Sequence, residues 1–322
     1  MIGKVFCAEG PSQRELLSCR SVYSTMLFAM LPMSLPSLPV VEFKFESQGR
    51  EWTVHQAGRR EGSEKQPLVV VLHGAGGRGD QYLTKNGWQA RAEQEGFLCL
   101  APTGQPAIRS AASNFRTNPN LWNSGQLNAI SPRARVNDIG FLDDLLRHAV
   151  KNLNVDPARI YMTGHSNGAG MTWRYAAEGN VPLSAIGPVM APPWVMPTDK
   201  SRPIPVLAIY GLEDPLVPWN GGRRKNPWGT EQDMSPIVQE LGKYAKGMGG
   251  RERGISPKMA GPVQRYEFGP LRGGAPFTAL TIEGQGHGWP GGQASGLPAS
   301  MTGPDTRHLD ATAKLWDFFK KY

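Results

Sequence analysis

The sequence predicts an α/β fold, a mainly parallel, twisted sheet with helices on both faces. Three observations lead there. Continuous apolar runs rich in β-branched residues recur along the chain, Leu68-Val69-Val70-Val71-Leu72 being the clearest, and a strand buried on both faces of a parallel sheet has this appearance. Segments with apolar residues at helical spacing lie between these runs. Strands that alternate with helices in this way build βαβ units, whose crossovers cover both faces of the sheet.

Taken in chain order, residues 1–39 stand apart as an N-terminal extension, and 40–322 are expected to form one domain. In the extension Lys4, Arg14 and Arg20 precede a short apolar stretch, Met26 to Met33. That order suggests a signal region, and the alternative is a mis-started segment with Met26 as the true start. No stretch is long enough to span a membrane. Val40 to Glu46 and Glu51 to Ala57 are expected to be two antiparallel strands at one edge, joined by the turn Ser47-Gln48-Gly49. Leu68 to Leu72, Phe97 to Ala101, Ile160 to Thr163, Ile186 to Met190, Val206 to Tyr210 and Phe277 to Ile282 are the buried strands. Asn137 can cap a helix with Ile139, Leu142, Leu145, Leu146 and Val150 on its apolar face. A second helix is expected just after Ser166, with Met171, Trp173 and Tyr175, and a third near Ile237 to Lys246. The rest of Gly221 to Pro276 gives only a Gly-rich loop pattern. A closing helix bearing Leu309, Ala313, Trp316 and Phe319 is expected to belong to the core, with no appended surface-binding domain after it.

Composition narrows the functional classes. A chain of 322 residues suits one large α/β domain, and 39% hydrophobic against 19% charged residues excludes wholesale disorder. The net charge is +8, but the basic residues are scattered in short clusters, as at Arg223-Arg224-Lys225. No basic stripe interleaved with aromatics appears, so a nucleic-acid partner is not expected. Three cysteines give no disulfide framework, and Cys99 belongs to a buried strand. No cysteine and histidine cluster has metal-ligand spacing, and neither a metal nor another cofactor is expected.

The sharpest motif is Gly164-His165-Ser166-Asn167-Gly168, directly after the strand Ile160 to Thr163 and before a helical pattern. A G-x-S-x-G segment in that setting is a nucleophile elbow. The turn is too tight for side chains at the flanking positions, which are glycines. It lifts the serine hydroxyl above the sheet, where the following helix N-terminus favours negative charge. A serine needs a base, and the base an orienting acid; on this fold they follow the nucleophile in the order acid, then histidine. His287 sits in a glycine loop after the last strand, Gly284-Gln285-Gly286-His287-Gly288, and is the expected base, with His308 as the alternative. Asp214 follows the strand Val206 to Tyr210 and is the expected acid, with adjacent Glu213 competing. The oxyanion hole is assigned to the backbone N–H groups of Asn167 and of Ala75 in His73-Gly74-Ala75-Gly76-Gly77, Gly76 being the neighbour that could take the place of Ala75. His73 is expected to support that loop.

These segments resemble the polyhydroxybutyrate depolymerase and feruloyl esterase group of the α/β-hydrolase fold. The likeness is carried by His73 to Gly76, Asp138 to Leu142, Val155 to Tyr161 leading into the elbow, Gly211 to Pro218, and Gly286 to Gly292. It implies a serine esterase with Ser166, Asp214 and His287 as its catalytic triad. It also implies export to the periplasm or beyond, although the disulfides common among exported members have no cysteines here. Small soluble esters with short acyl chains or aromatic acids are the expected substrates, with a polyester or a plant-cell-wall ester as further possibilities. Trp122 and Trp289 are the candidate cleft aromatics, Trp219 and Trp228 the weaker ones. Two other readings stand beside ester hydrolysis: acyl transfer to an alcohol by the same triad, and a non-catalytic binding module, which predicts a broken triad.

Overall fold

Among the described residues nine strands form one sheet, in the order Val41–Ser47, Arg50–Ala57, Leu98–Thr103, Gln66–Leu72, Val155–His165, Ala185–Val189, Val206–Gly211, Phe277–Ile282, Val263–Glu267. The computed structural model describes residues 39–58, 64–225, 228–229, 231–256, 261–293 and 297–322. The extension's apolar stretch Met26 to Met33, its basic residues, Cys7 and Cys19 lie outside the described residues.

The chain enters through β1 (Val41–Ser47) and β2 (Arg50–Ala57), antiparallel to each other and forming the expected edge. β3 (Gln66–Leu72) is buried throughout and lies in the interior of the sheet, fourth from the Val41–Ser47 edge. Next come α1 (Gly79–Lys85), α2 (Trp88–Glu95) and β4 (Leu98–Thr103), which carries the free, buried Cys99. A long loop leads to α3 (Asp138–Asn152), where the Asn137 side chain caps the Gly140 N–H at 2.9 Å as the sequence predicts. β5 (Val155–His165), α4 (Asn167–Glu178), β6 (Ala185–Val189) and β7 (Val206–Gly211) continue the alternation.

Among its described residues, the segment that gave a poor pattern holds three strands and an α-helix. β8 (Gly222–Lys225) and β9 (Glu231–Met234) form a small separate antiparallel pair. α5 (Ile237–Gly247) matches the helix expected there, and β10 (Val263–Glu267) is an antiparallel edge strand against β11 (Phe277–Ile282). α6 (Ala299–Thr302) is a single turn, and α7 (Ala311–Phe319) closes the chain. Leu309 precedes α7, which is capped by Asp310 and buries Leu315, Trp316 and Phe319.

β3 shows why helices cover both faces. Side chains alternate along a strand, so Leu68, Val70 and Leu72 pack with Phe141, Leu142 and Met171 of α3 and α4. Val69 and Val71 point the other way, to Leu83, Trp88 and Trp316 of α1, α2 and α7. Burying each such aliphatic side chain contributes about 1.5–3 kcal/mol. The strands β4, β3, β5, β6, β7 and β11 are parallel along the sheet, so their C-terminal ends share one edge. The loops after β3, β5, β7 and β11 leave from that edge, and these are the loops holding the residues singled out above. A crevice at the carboxyl ends of parallel strands is where such sheets bind ligands. Among the described residues no helix is long and apolar enough to cross a membrane.

Candidate active site

The elbow's geometry explains its glycines. Ser166 has φ +54°, a left-handed value that is costly for a side-chain-bearing residue. Its N–H donates to the Val189 carbonyl at 2.9 Å, tying the strained turn to β6. A Cβ on Gly164 would lie 2.4 Å from the Gly168 carbonyl oxygen, and one on Gly168 would lie 2.3 Å from that of Leu72. Both positions flanking the turn therefore have to lack a side chain for α4 to start so close to β3 and β5.

His287 Nε2 is 2.8 Å from Ser166 Oγ, and its Nδ1 is 2.7 Å from Asp214 Oδ2. The other oxygen of Asp214 accepts the N–H groups of Leu216 and Val217, both at 2.8 Å. Asp214 is buried, whereas Glu213 is exposed and meets the His287 loop only through its backbone N–H, 2.9 Å from Gln285 O. His308 is exposed on the approach to α7. The three side chains expected from motif and chain order are thus in hydrogen-bond contact, and the alternatives are not part of that chain of contacts.

Two further histidines hold the loops. His73 is fully buried; it accepts the Gly104 N–H on Nε2 at 2.8 Å and so donates from Nδ1 to Gly74 O at 2.6 Å. Burial lowers its pKa to about 4, which keeps it neutral. His165 donates from Nε2 to His287 O and accepts the Tyr82 hydroxyl on Nδ1 at 2.8 Å. Burial, reinforced by neighbouring His287, lowers its pKa to about 3. Gln285, also buried, accepts from Thr306 and donates to Asp305, fixing the loop that carries His287.

The oxyanion-hole candidates separate on hydrogen bonding. The Gly76 N–H is taken by Asn120 O at 2.8 Å, whereas that of Ala75 meets no acceptor among the described residues. Asn167 opens α4, so its N–H lacks an intrahelical partner. Its side chain is occupied elsewhere, accepting Trp122 N–H at 2.7 Å and donating to Trp122 O and Ser124 Oγ. Ala75 and Asn167 both border a cleft of about 610 Å³ that also exposes Ser166 and His287.

The tryptophans require a correction. Trp122, read as a candidate cleft residue, has no exposed surface; its ring lies near-parallel to the stacked pair Trp52 and Phe141, 6.4 Å from each, and its Nε1 donates to His73 O at 3.1 Å. An aromatic beside a cleft loop has the same local sequence whether it faces the cleft or the core, and here it faces the core. Trp289 does border the cleft, though mostly buried against His165 and bonded to Thr312. Trp219 packs between Tyr210 and Tyr266. Trp228, 38% exposed, forms an aromatic wall of the cleft with Phe115, their ring centres 5.6 Å apart. Arg224, from β8, also borders the cleft and was noted in the sequence only as part of a short basic cluster; its Nη1 donates to Leu216 O and its Nη2 to Gln232 Oε1.

Sheet order, elbow and loops together define an α/β-hydrolase fold. The family model described as phospholipase/carboxylesterase matches residues 57–231, more than half of the chain. The chain therefore belongs to that family and is a carboxylesterase-type hydrolase. Feruloyl esterase C of Emericella nidulans is 26% identical over 237 residues, covering 71% of this chain and 78% of that protein. Poly(3-hydroxybutyrate) depolymerase of Ralstonia pickettii is 26% identical over 270 residues, covering 77% of this chain and 51%, about half, of that protein. These relatives match the resemblance read in the sequence. Acetyl xylan esterase from Aspergillus awamori shares the fold, with a TM-score of 0.53 at 12% identity over 88% of this chain and all of that one.

Proposed function

We propose that this protein is a serine esterase that hydrolyses small carboxylic esters through an acyl-Ser166 intermediate. The observation that carries the reading is the hydrogen-bonded chain from Asp214 through His287 to Ser166, ending at a strained elbow in an open cleft. Asp214 holds the imidazole with its proton on Nδ1, leaving Nε2 as the base. As Ser166 Oγ attacks the ester carbonyl carbon, Nε2 takes the hydroxyl proton. The carbonyl oxygen becomes an oxyanion facing the N–H groups of Ala75 and Asn167, worth about 2.7–4 kcal/mol of barrier per donor. The tetrahedral centre collapses and expels the alcohol, which takes the proton from His287. Water then loses a proton to His287 and attacks the acyl carbon; as the second tetrahedral centre collapses, Ser166 Oγ leaves, takes that proton back from His287, and the acid is released.

Short-chain or aromatic esters suit the cleft. Phe115 and Trp228 offer a stacking surface on one wall, and Trp289 also borders the cleft. Stacking an aromatic acid there is worth about 0.5–1.5 kcal/mol beyond burial. The name of the Emericella relative, a feruloyl esterase, points the same way. The name of the Ralstonia relative makes polyester the competing substrate. The test compares methyl ferulate, short-chain p-nitrophenyl esters and a polyhydroxybutyrate film under one set of conditions. The small esters are expected to be turned over much faster. Efficient clearing of the film with negligible turnover of the small esters would overturn the substrate class.

A further inference from the structure

Arg224 is a buried cation without an anion. Its side chain is 8% exposed, yet no carboxylate pairs with it among the described residues; its hydrogen-bond partners are the neutral Leu216 carbonyl and the Gln232 amide. Its Nε is buried and has no hydrogen-bond partner among the described residues. A guanidinium carries five N–H donors in a rigid fork suited to carboxylates, and a buried charge is normally paired. Among the described residues the charge that acts on it is that of Asp214, whose two oxygens are already committed to His287 and to the Leu216 and Val217 amides.

The rest of the cleft has the same sign. Lys85 borders it and pairs with no carboxylate among the described residues. Glu231 is the acidic residue on its border, and it is neutralised by Arg223. A cleft with an unbalanced positive charge at its wall concentrates anionic ligands. An ester supplies no charge of its own at the scissile bond, so the anion must be a second group on the substrate. A planar fork beside the triad acid fits a carboxylate.

We propose that the natural substrate is an ester that also bears a free carboxylate, which pairs with Arg224 while the ester carbonyl lies at Ser166. This inference rests on the ester-hydrolase reading above and adds the charge of the substrate to it. Arg224 is then a specificity-determining residue and takes no part in bond making.

The experiment uses matched pairs of esters with the full chain. In one pair the charge is on the acyl side, p-nitrophenyl hydrogen glutarate against p-nitrophenyl pentanoate. In the other it is on the alcohol side, para-acetoxybenzoate against para-acetoxybenzamide. The readout is the ratio of kcat/KM, charged over neutral, within each pair. We expect a preference for the charged ester in at least one pair, on the order of tenfold or more, and which pair shows it tells which side of the substrate carries the carboxylate. The preference should shrink as salt is raised. R224Q should reduce the ratio about tenfold, mainly through KM, and R224K should recover part of it. If Arg224 only braces the β8–β9 pair against Leu216, R224Q lowers both members of a pair by one factor and leaves the ratio unchanged, which would overturn the proposal. If R224Q does not fold, the ratio of the parent protein and its salt dependence decide, and a ratio near one in both pairs overturns the proposal alone. Absence of turnover of all four esters would instead overturn the ester-hydrolase reading and this inference with it.

Discussion

His165 donates a hydrogen bond from Nε2 to the backbone carbonyl of His287 at 2.6 Å. The residue beside the nucleophile therefore holds the loop that carries the base, and Tyr82 in turn fixes the ring from the far side. Sequence reasoning treated His165 only as an occupant of the elbow.

Replacing His165 by Ala should cost about tenfold to a hundredfold in kcat, because an angstrom of misplacement at the base is enough. KM should change far less. Gln can still donate to the same carbonyl, so His165→Gln should retain more activity than His165→Ala. Steady-state kinetics of the two variants check this, and equal losses would argue against the bond as the cause.

Asp214→Asn should lower kcat by roughly 10³–10⁴-fold, since the amide favours the wrong imidazole tautomer. Glu213→Gln should stay within about twofold of the parent, in keeping with its exposed side chain. The comparison is read from kcat on p-nitrophenyl acetate. A larger loss in the Glu213 variant would move the acid to that position.

Gly168→Ala should destabilise the fold. Its Cβ would sit 2.3 Å from the Leu72 carbonyl oxygen and 2.5 Å from that of His73, both backbone atoms that cannot rotate away. Overpacking of this kind typically costs about 1–3 kcal/mol. Urea unfolding monitored by tryptophan fluorescence should show the midpoint shifted down with the slope unchanged.

Stability should fall as the pH drops from neutrality toward 4. His73 and His165 are neutral in the folded protein, with pKa values lowered by burial to about 4 and about 3. In the unfolded chain both take a proton near the ordinary value of 6.5. Below that pH the unfolded state binds more protons than the folded one, so acid favours unfolding; above it the contribution is fully present. Thermal melts at pH 7 and pH 4.5 should differ in that direction, and a Tm that rises on acidification would contradict it.

What was legible in the sequence follows from how local each signal is. The strand Phe277–Ile282 has the bounds its β-branched run suggested, and the antiparallel edge at the start is where the alternating pattern put it. The elbow is local too, because a strained turn between strand and helix constrains five consecutive residues. Its partners, Asp214 and His287, were reached through chain order and strand ends, which are topological facts.

What stayed hidden depends on contacts distant in sequence. β8 and β9 read Gly-Arg-Arg-Lys and Glu-Gln-Asp-Met, exposed strands with no apolar alternation to reveal them. Arg224 comes from that segment, so the charge of the cleft was not visible, whereas Trp228, from the same segment, was a weaker cleft candidate that does border the cleft. β10, Val-Gln-Arg-Tyr-Glu, is an edge strand with half-buried residues and a weak pattern for the same reason. α1 and α2 are short, and their core residues Leu83, Trp88 and Ala92 are too few to set a helical period. Trp122 could not be placed in core or cleft without knowing that the stacked pair Trp52 and Phe141 packs beside it.

The central claim is that Ser166 is the nucleophile of an ester hydrolase, and the most direct measurement is turnover of p-nitrophenyl acetate by Ser166→Ala beside the parent protein. The parent should hydrolyse the ester. The variant should fold normally by circular dichroism and lose on the order of 10⁴-fold or more in kcat. A folded variant within tenfold of the parent would contradict the account, because the hydroxyl 2.8 Å from His287 would then be a bystander.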